Sequence, residues 1–382
     1  MNVLTSERVP IKIWLDDLED SAIEQSKNLA SLPFVFKHVA LMPDSHSGFG
    51  MPIGGVLATK NTIIPNAVGV DISCGVNAVR TSLTDIDTNT IKKIMSEIRK
   101  EIPVGFNKHK DKQTWIGYND VPNSEIIKSE LENSKFSLGS LGGGNHFWEL
   151  SRSSDSFIWV MIHSGSRNFG LKIANHHHEI AKSLCEKYYS NIPTSDLSFL
   201  PFDSVEGQNY YNDMMFAMKF AKENRKRMMD KTLEIITSIT QGTELNRIDV
   251  HHNYAAMEHH YNENVIVHRK GAISARVDEI GIIPGSQGTK SYITLGKGNK
   301  ESFTSCSHGA GRKMSRTKAQ KDLNLDDEIK KLNDQGIVHS IRSVKDLDEA
   351  SGAYKNISVV MNNQKDLCSI MVELSPLAVI KG

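Results

Sequence analysis

Six glycine-studded polar segments punctuate this 382-residue chain, and nothing else in the sequence restricts its fold as strongly. The first, Met42-Pro-Asp-Ser-His-Ser-Gly-Phe-Gly-Met-Pro-Ile-Gly-Gly55, mixes prolines with repeated glycines. Proline withholds a backbone donor and glycine loses the most chain entropy on ordering. Most of this segment is therefore expected to be irregular, neither helix nor central strand. The other five cover 69–75, 139–149, 160–167, 249–254 and 305–316. Helical periodicity lies between them, with Ile91, Ile94, Met95 and Ile98 forming one stripe over 88–102. Further helices are predicted over 171–189 and 210–240, the latter a helical excursion whose length allows a break near 222–227. Short β-branched or aromatic runs predict strands over 157–162, 264–267, 291–295, 357–361 and 367–374. Helices and strands do not alternate strictly, so the expected class is α+β, with mixed or antiparallel sheets flanked by helices. Without a linker or repeat, residues 1–382 are expected to form one large domain.

Charge and cysteine content narrow the function. Forty-five basic residues balance 45 acidic ones, so any contact with nucleic acid must be a local patch. The four cysteines form no C-x-x-C pair, which argues against a disulfide framework or zinc finger. The first twenty residues hold no signal-peptide core, and no apolar run approaches the ~20 residues of a membrane helix. A soluble, cytoplasmic protein with no membrane partner is expected, its thiols reduced and free to bind metal.

Within the segments, Asp71 and Cys74 stand three residues apart in a glycine-bounded turn, from which both could reach one metal ion. The alternative is that Cys74 is a small buried hydrophobe. Three glycines precede Asn145, His146 and Glu149, suiting close backbone approach to a ligand such as phosphate. His163 ends an apolar strand before a Ser-Gly-Ser-Arg turn; a structural hydrogen bond is its plain alternative. His251 and His252 diverge on a strand, so only one should face a given site. His308 sits in Ser-His-Gly-Ala-Gly-Arg, ahead of Arg312, Lys313, Arg316, Lys318 and Lys321. That cluster is a phosphate-sized basic patch or a solvated helix face, and 219–231 reads as a solvated face. His176, His177 and His178 point three ways on a helix, and His259 and His260 lack metalloprotease spacing. The common nucleotide-binding and hydrolase motifs are absent.

Together and in order, the six segments resemble the RtcB family of RNA-splicing ligases, its bacterial members especially. The specific motifs are Gly-Val-Asp-Ile-Ser-Cys-Gly, Gly-Gly-Asn-His-Phe, His-Ser-Gly-Ser-Arg, His-His-Asn-Tyr, Pro-Gly-Ser-Gln-Gly-Thr-Lys-Ser-Tyr, His-Gly-Ala-Gly-Arg and the closing Lys-Gly. The resemblance implies a GTP-dependent enzyme that joins an RNA 3′-phosphate or 2′,3′-cyclic phosphate to a 5′-hydroxyl end. It implies one manganese ion on Asp71, Cys74 and His146, and a second on Cys74, His163 and His252. It makes His308 the carrier of a covalent GMP. It assigns guanylate binding to Asn145, His146, Glu149, His252, Asn253, Pro284, Gly285, Ser286, Gln287, Ser291, His308, Gly309, Ala310, Gly311 and Lys381. Gln287 stands where the family usually has Met, and Asn168 where it usually has Gly, leaving ligands and nucleophile intact. The RNA partner would be a molecule with broken ends, such as tRNA halves or nicked RNA.

The chemistry suits these residue types. A thiolate between two cations lowers their repulsion, while the donor set itself does not select manganese, which rests on the resemblance. Neutral imidazole is nucleophilic near pH 7, and Arg312 nearby is expected to disfavour its protonation. Two other readings compete: a two-metal cyclic phosphoesterase that does not ligate, and a non-catalytic RNA-binding protein. The second should have lost His308 or Cys74, and both are present.

Overall fold

Two large sheets dominate the computed structural model, which describes residues 1–382, and both are stitched from segments distant in sequence. The six-stranded sheet runs Asn2–Leu4, Ile11–Ile13, Val35–His46, Ile53–Thr59, Glu263–Lys270, Asn253–His260. The seven-stranded sheet runs Glu244–His251, Gly75–Thr81, Ile158–Ser164, Phe147–Ser153, Cys368–Lys381, Ser291–Gly296, Ile280–Ile283, every ladder antiparallel. The first sheet has one parallel pair, Ile11–Ile13 against Val35–His46. The class is α+β, as expected.

The period-two geometry of strands decides what the second sheet presents on each face. Trp148 and Leu150, Val160 and Ile162, and Ala378 and Ile380 point to one side. There they meet Ile91, Ile94, Met95 and Ile98 of the helix Thr88–Glu101 and Met228, Met229, Ile235 and Ile236 of the helix Val205–Thr240. Their neighbours Phe147, Glu149, His163, Val379 and Lys381 fall on the opposite side, where they line one cavity. The hydrophobic face that fixes register thereby also aims the polar side chains.

The Val205–Thr240 helix is 36 residues long and runs unbroken through 222–227. It packs against the sheet and is no excursion from it. Two residues within that stretch are clamps: Asn224 and Arg225 are fully buried. Arg225 pairs with Asp249 at 2.7 and 2.9 Å and donates to the carbonyls of Ser73 and Ser164. Asn224 accepts from the Gly139 and Ser140 amides and donates to the Gly165 carbonyl. One helix thus ties four of the six segments together, and Arg225 is no part of the solvated face expected over 219–231.

Two further expectations change. Residues 357–361 lie in a helix, Ile357–Asn363, not a strand; the Asn356 side chain caps it by accepting from the Ser358 amide. Its buried residues Ile357, Val360 and Met361 have helical spacing. The first segment is irregular only over 47–52, because the flanking strands extend to His46 and start again at Ile53. Pro43 is tolerated inside a strand because the ladder to Ile53–Thr59 is interrupted between Leu41 and His46.

Candidate active site

Cys74 stands at the centre of two overlapping donor sets. In one, the Cys74 sulfur lies near His163 and His252; in the other, near Asp71 and His146; within each set all donor atoms lie within 4.8 Å of one another. The turn expected over 69–75 forms, closed by the Cys74 amide donating to the Asp71 carbonyl at 3.1 Å. His252 falls in the gap between the strands Glu244–His251 and Asn253–His260, and its amide donates to the Cys74 carbonyl at 2.9 Å. His251 turns away to pack edge-on against Tyr254, so one of the two histidines faces the site, as expected.

The ring tautomers follow from their carbonyl partners. His146 Nδ1 donates to the Leu141 carbonyl at 2.9 Å and His163 Nδ1 to the Asn145 carbonyl at 3.1 Å. In the neutral rings each Nε2 is then a lone pair. Burial holds His163 and His252 well below the usual histidine range and so favours neutral rings. His163 Nε2 lies 3.2 Å from the Cys74 sulfur and 3.5 Å from His252 Nε2, and His146 Nε2 lies 3.0 Å from Asp71 Oδ2. Asp71 Oδ1 is buried with no partner. Converging lone pairs around a buried thiol and carboxylate repel unless a cation lies among them, so the set fits divalent metal. Burial pushes the Cys74 thiol well up, and a bound cation would favour its thiolate.

Beside this cluster lies a cavity with about 840 Å³ of empty space, its open mouth included, within the size range of small-molecule sites. His163, a member of one donor set, and His308 both line it, and the His252 and His308 rings are 4.5 Å apart. Asn145, Glu149, Pro284, Gly285, Ser286, Gln287, Gly309, Ala310, Gly311 and Lys381 line it. Four other expected guanylate positions do not. His146 and His252 belong to the donor sets. Asn253 donates to the Asp71 carbonyl at 2.9 Å and accepts from the Gly271 amide, while Ser291 Oγ accepts from the Gly285 amide. These last two hold loops in place. Gln287 is buried and donates to the Glu349 carbonyl at 2.8 Å, with its side-chain oxygen unpartnered.

Two carboxylates that the sequence reading did not single out organise this cavity. Asp44 is fully buried, and its Oδ2 accepts from His308 Nδ1 at 2.7 Å, the His308 amide at 3.1 Å and the Gly309 amide at 3.3 Å. A carboxylate on Nδ1 fixes the proton there and leaves Nε2 free. The loop can close so tightly because Gly311 has φ 71°, and a Cβ there would strike the Asp44 backbone. Asp44 lay within the first segment, where Pro-Asp-Ser-His was the available signal. Glu349 had none. It binds Arg312 at 3.0 Å, Arg316 at 2.7 Å and the Tyr354 hydroxyl. Arg312 is thereby paired with Glu349, and the carboxylate in contact with His308 is Asp44.

Glu149 and Lys381 sit on neighbouring strands, where Val379 pairs with Glu149 and Lys381 with Phe147. Burial raises the Glu149 carboxyl to about 7, against a hydrogen bond from Ser151, and lowers the Lys381 ammonium. Among the other histidines, His177 is buried against Asp213 at 2.7 Å, apart from both donor sets.

Comparison with known proteins bears on the whole chain. The family model described as tRNA-splicing ligase RtcB matches residues 25–121 and 116–382. The RNA-splicing ligase RtcB of Escherichia coli K12 is 39% identical over 413 aligned residues, spanning 100% of this chain and 99% of that protein. The tRNA-splicing ligase RtcB of Nanoarchaeum equitans is 32% identical across 98% of this chain and 95% of its own length. An RNA-splicing ligase RtcB homolog of Entamoeba dispar is 31% identical across 95% of this chain and 84% of its own. With four of the six segments supplying the paired donor sets, the other two meeting at Asp44 and His308 beside them, and matches spanning most or all of bacterial, archaeal and eukaryotic relatives, this chain belongs to the RtcB family.

Proposed function

We propose that the protein is an RNA ligase that uses GTP and manganese to join an RNA 3′-phosphate or 2′,3′-cyclic phosphate to a 5′-hydroxyl. Residues 1–382 would act as one catalytic domain. One observation carries the reading: His308, with Asp44 on Nδ1, lies beside a set of metal donors and lines the same cavity as Glu149 and Lys381. The names of its relatives supply the RNA. Asp71, Cys74 and His146 would hold one divalent ion and Cys74, His163 and His252 the other, with the thiolate shared. Bound there, the ions would supply Lewis-acid polarisation of phosphoryl oxygens and offset triphosphate charge.

The remaining work belongs to the chain. Glu149, once ionised, accepts from guanine N1–H and N2–H, and Lys381 donates towards O6, a pattern adenine does not match. Asn145, residues 284–287 and residues 309–311 surround the nucleotide. Asp44 keeps the Nδ1 proton of His308 in place while the Nε2 lone pair attacks the α-phosphorus of GTP and pyrophosphate leaves. The RNA 3′-phosphate then takes GMP from Nε2, and attack by the 5′-hydroxyl expels GMP and seals the strand. Domain unity is supported by the ladders: the strand from 244–251 pairs with that from 75–81, and the C-terminal strand with that from 147–153.

The test uses GTP labelled on its α-phosphate, with manganese. Label should become protein-bound and acid-labile, ATP should not substitute, and His308→Ala should abolish labelling yet still join RNA carrying a preformed 3′-guanylate. Undiminished labelling of His308→Ala removes His308 from the mechanism. Cyclic-phosphate opening without labelling of the wild type would favour the phosphoesterase reading.

A further inference from the structure

The donor sets open to more than one cleft. The guanylate cavity shares His163 with them, while a second cleft shares Asp71 and His146. This second cleft is lined by Val70, Phe106, Lys108, Arg167, Asn168 and Leu171 besides those two. Phe106 is its unusual member. The side chain is fully exposed, at 102% of the reference value, although the backbone around it is tied down. The Gly105 amide donates to the Gly142 carbonyl at 2.8 Å, the Leu141 amide to the Pro103 carbonyl at 2.9 Å, and Arg167 Nη2 to the Gly105 carbonyl at 2.9 Å. Gly105 has φ 67°, which glycine adopts without strain. An aromatic ring held on a braced loop, with nothing packed on it, contributes nothing to the core. Arg167 and Lys108 bring positive charge to the same cleft. A rigid aromatic face beside cationic side chains is the arrangement by which proteins hold unpaired nucleotides, the ring stacking on a base and the cations following the phosphates.

We propose that Phe106 is the stacking platform for an unpaired RNA nucleotide at the broken end, with Lys108 and Arg167 holding its phosphates, so that the RNA enters by the cleft sharing Asp71 and His146 and GTP by the other. The proposal deepens the ligase reading and rests on it. A base on Phe106 lies at the mouth of the cleft, and the phosphate-bearing end then points inward to the metal donors. This division keeps the two anionic substrates on separate faces of the cationic centre.

The test reads RNA binding separately from guanylylation. Phe106→Ala should raise the KM for RNA about five- to a hundredfold with little change in kcat, and Phe106→Trp should restore it, since the ring stacks on any base. Fluorescence anisotropy of a single-stranded oligoribonucleotide gives the same comparison without catalysis, and with an exposed ring no buried packing is lost. An abasic nucleotide at the end should mimic Phe106→Ala and add nothing to it. The effect should appear when that nucleotide is on the phosphate-bearing strand; an effect seen only on the hydroxyl-bearing strand would overturn the placement. Unchanged KM and unchanged anisotropy with Phe106→Ala, in a protein that labels normally with GTP, would overturn the platform and leave the ligase reading standing. Loss of labelling and joining in the wild type would overturn the ligase reading, while anisotropy would still decide the platform.

Discussion

Replacing Asp44 by asparagine separates the charge beside His308 from the geometry that it imposes. Asp44 Oδ1 has no partner, whereas Oδ2 accepts from three donors. An asparagine can therefore place its oxygen on those donors and its amide nitrogen where Oδ1 was, which keeps the proton on Nδ1. What it loses is the negative charge facing the imidazole as that ring would become cationic in the proposed guanylylation. A hydrogen bond to a charged partner is worth ~1.5–3 kcal/mol against ~0.5–1.5 for a neutral one, a difference of about 1–2 kcal/mol. The full Coulomb term at ~4 Å and an effective dielectric of ~20 is about 4 kcal/mol and sets the ceiling. Guanylylation by Asp44→Asn should therefore slow by at least about fivefold and at most about a thousandfold. Asp44→Ala should do worse, because it also frees the ring and orphans three donors at ~1–3 kcal/mol each. Single-turnover labelling with α-labelled GTP, alongside metal content and a thermal melt, measures all of this. A wild-type rate in Asp44→Asn with normal metal content would refute the electrostatic role, and equal rates in the two variants would refute the orienting one.

Cys74→Ala should lose both metal ions or bind them weakly, while Cys185→Ala, Cys306→Ala and Cys368→Ala should keep them; all four thiols are buried, so elemental analysis and not accessibility separates them. Glu149 should impose a pH dependence on GTP use: with its carboxyl near 7, rising pH ionises it and the KM for GTP should fall between pH 6 and 8, a slope that Glu149→Gln should flatten. Without GTP the sign reverses for stability: the folded state holds the extra proton between about 4.5 and about 7, so stability conferred by this group is lost as pH rises across that window in a melting series. Glu349→Leu should cost about 3–5 kcal/mol in denaturant unfolding, because Arg312 is left half-buried and unpaired; a loss under 1 kcal/mol would show the clamp to be dispensable.

The chain's own order of residues determined the class of fold, the main helices and the segments that matter. Hydrophobic spacing such as Ile91, Ile94, Met95 and Ile98 is a local property and needs no partner to be read. The pairing of Asp71 with Cys74 is likewise local, being one turn of backbone. Where sequence reasoning failed, the deciding forces were remote. The β-branched run at 357–361 became helix because Asn356 caps it and one face finds a core. The charged middle of the long helix stays unbroken because Asp249 and the carbonyls of Ser73 and Ser164 receive Arg225. Asp44 and Glu349 gained their places only when strands 264 residues apart from His308, and a turn 37 residues beyond Arg312, were folded against them. A residue's type says which bonds it can make; burial and approach of distant chain decide which it does make, and the cavity beside His308 is a product of that second step.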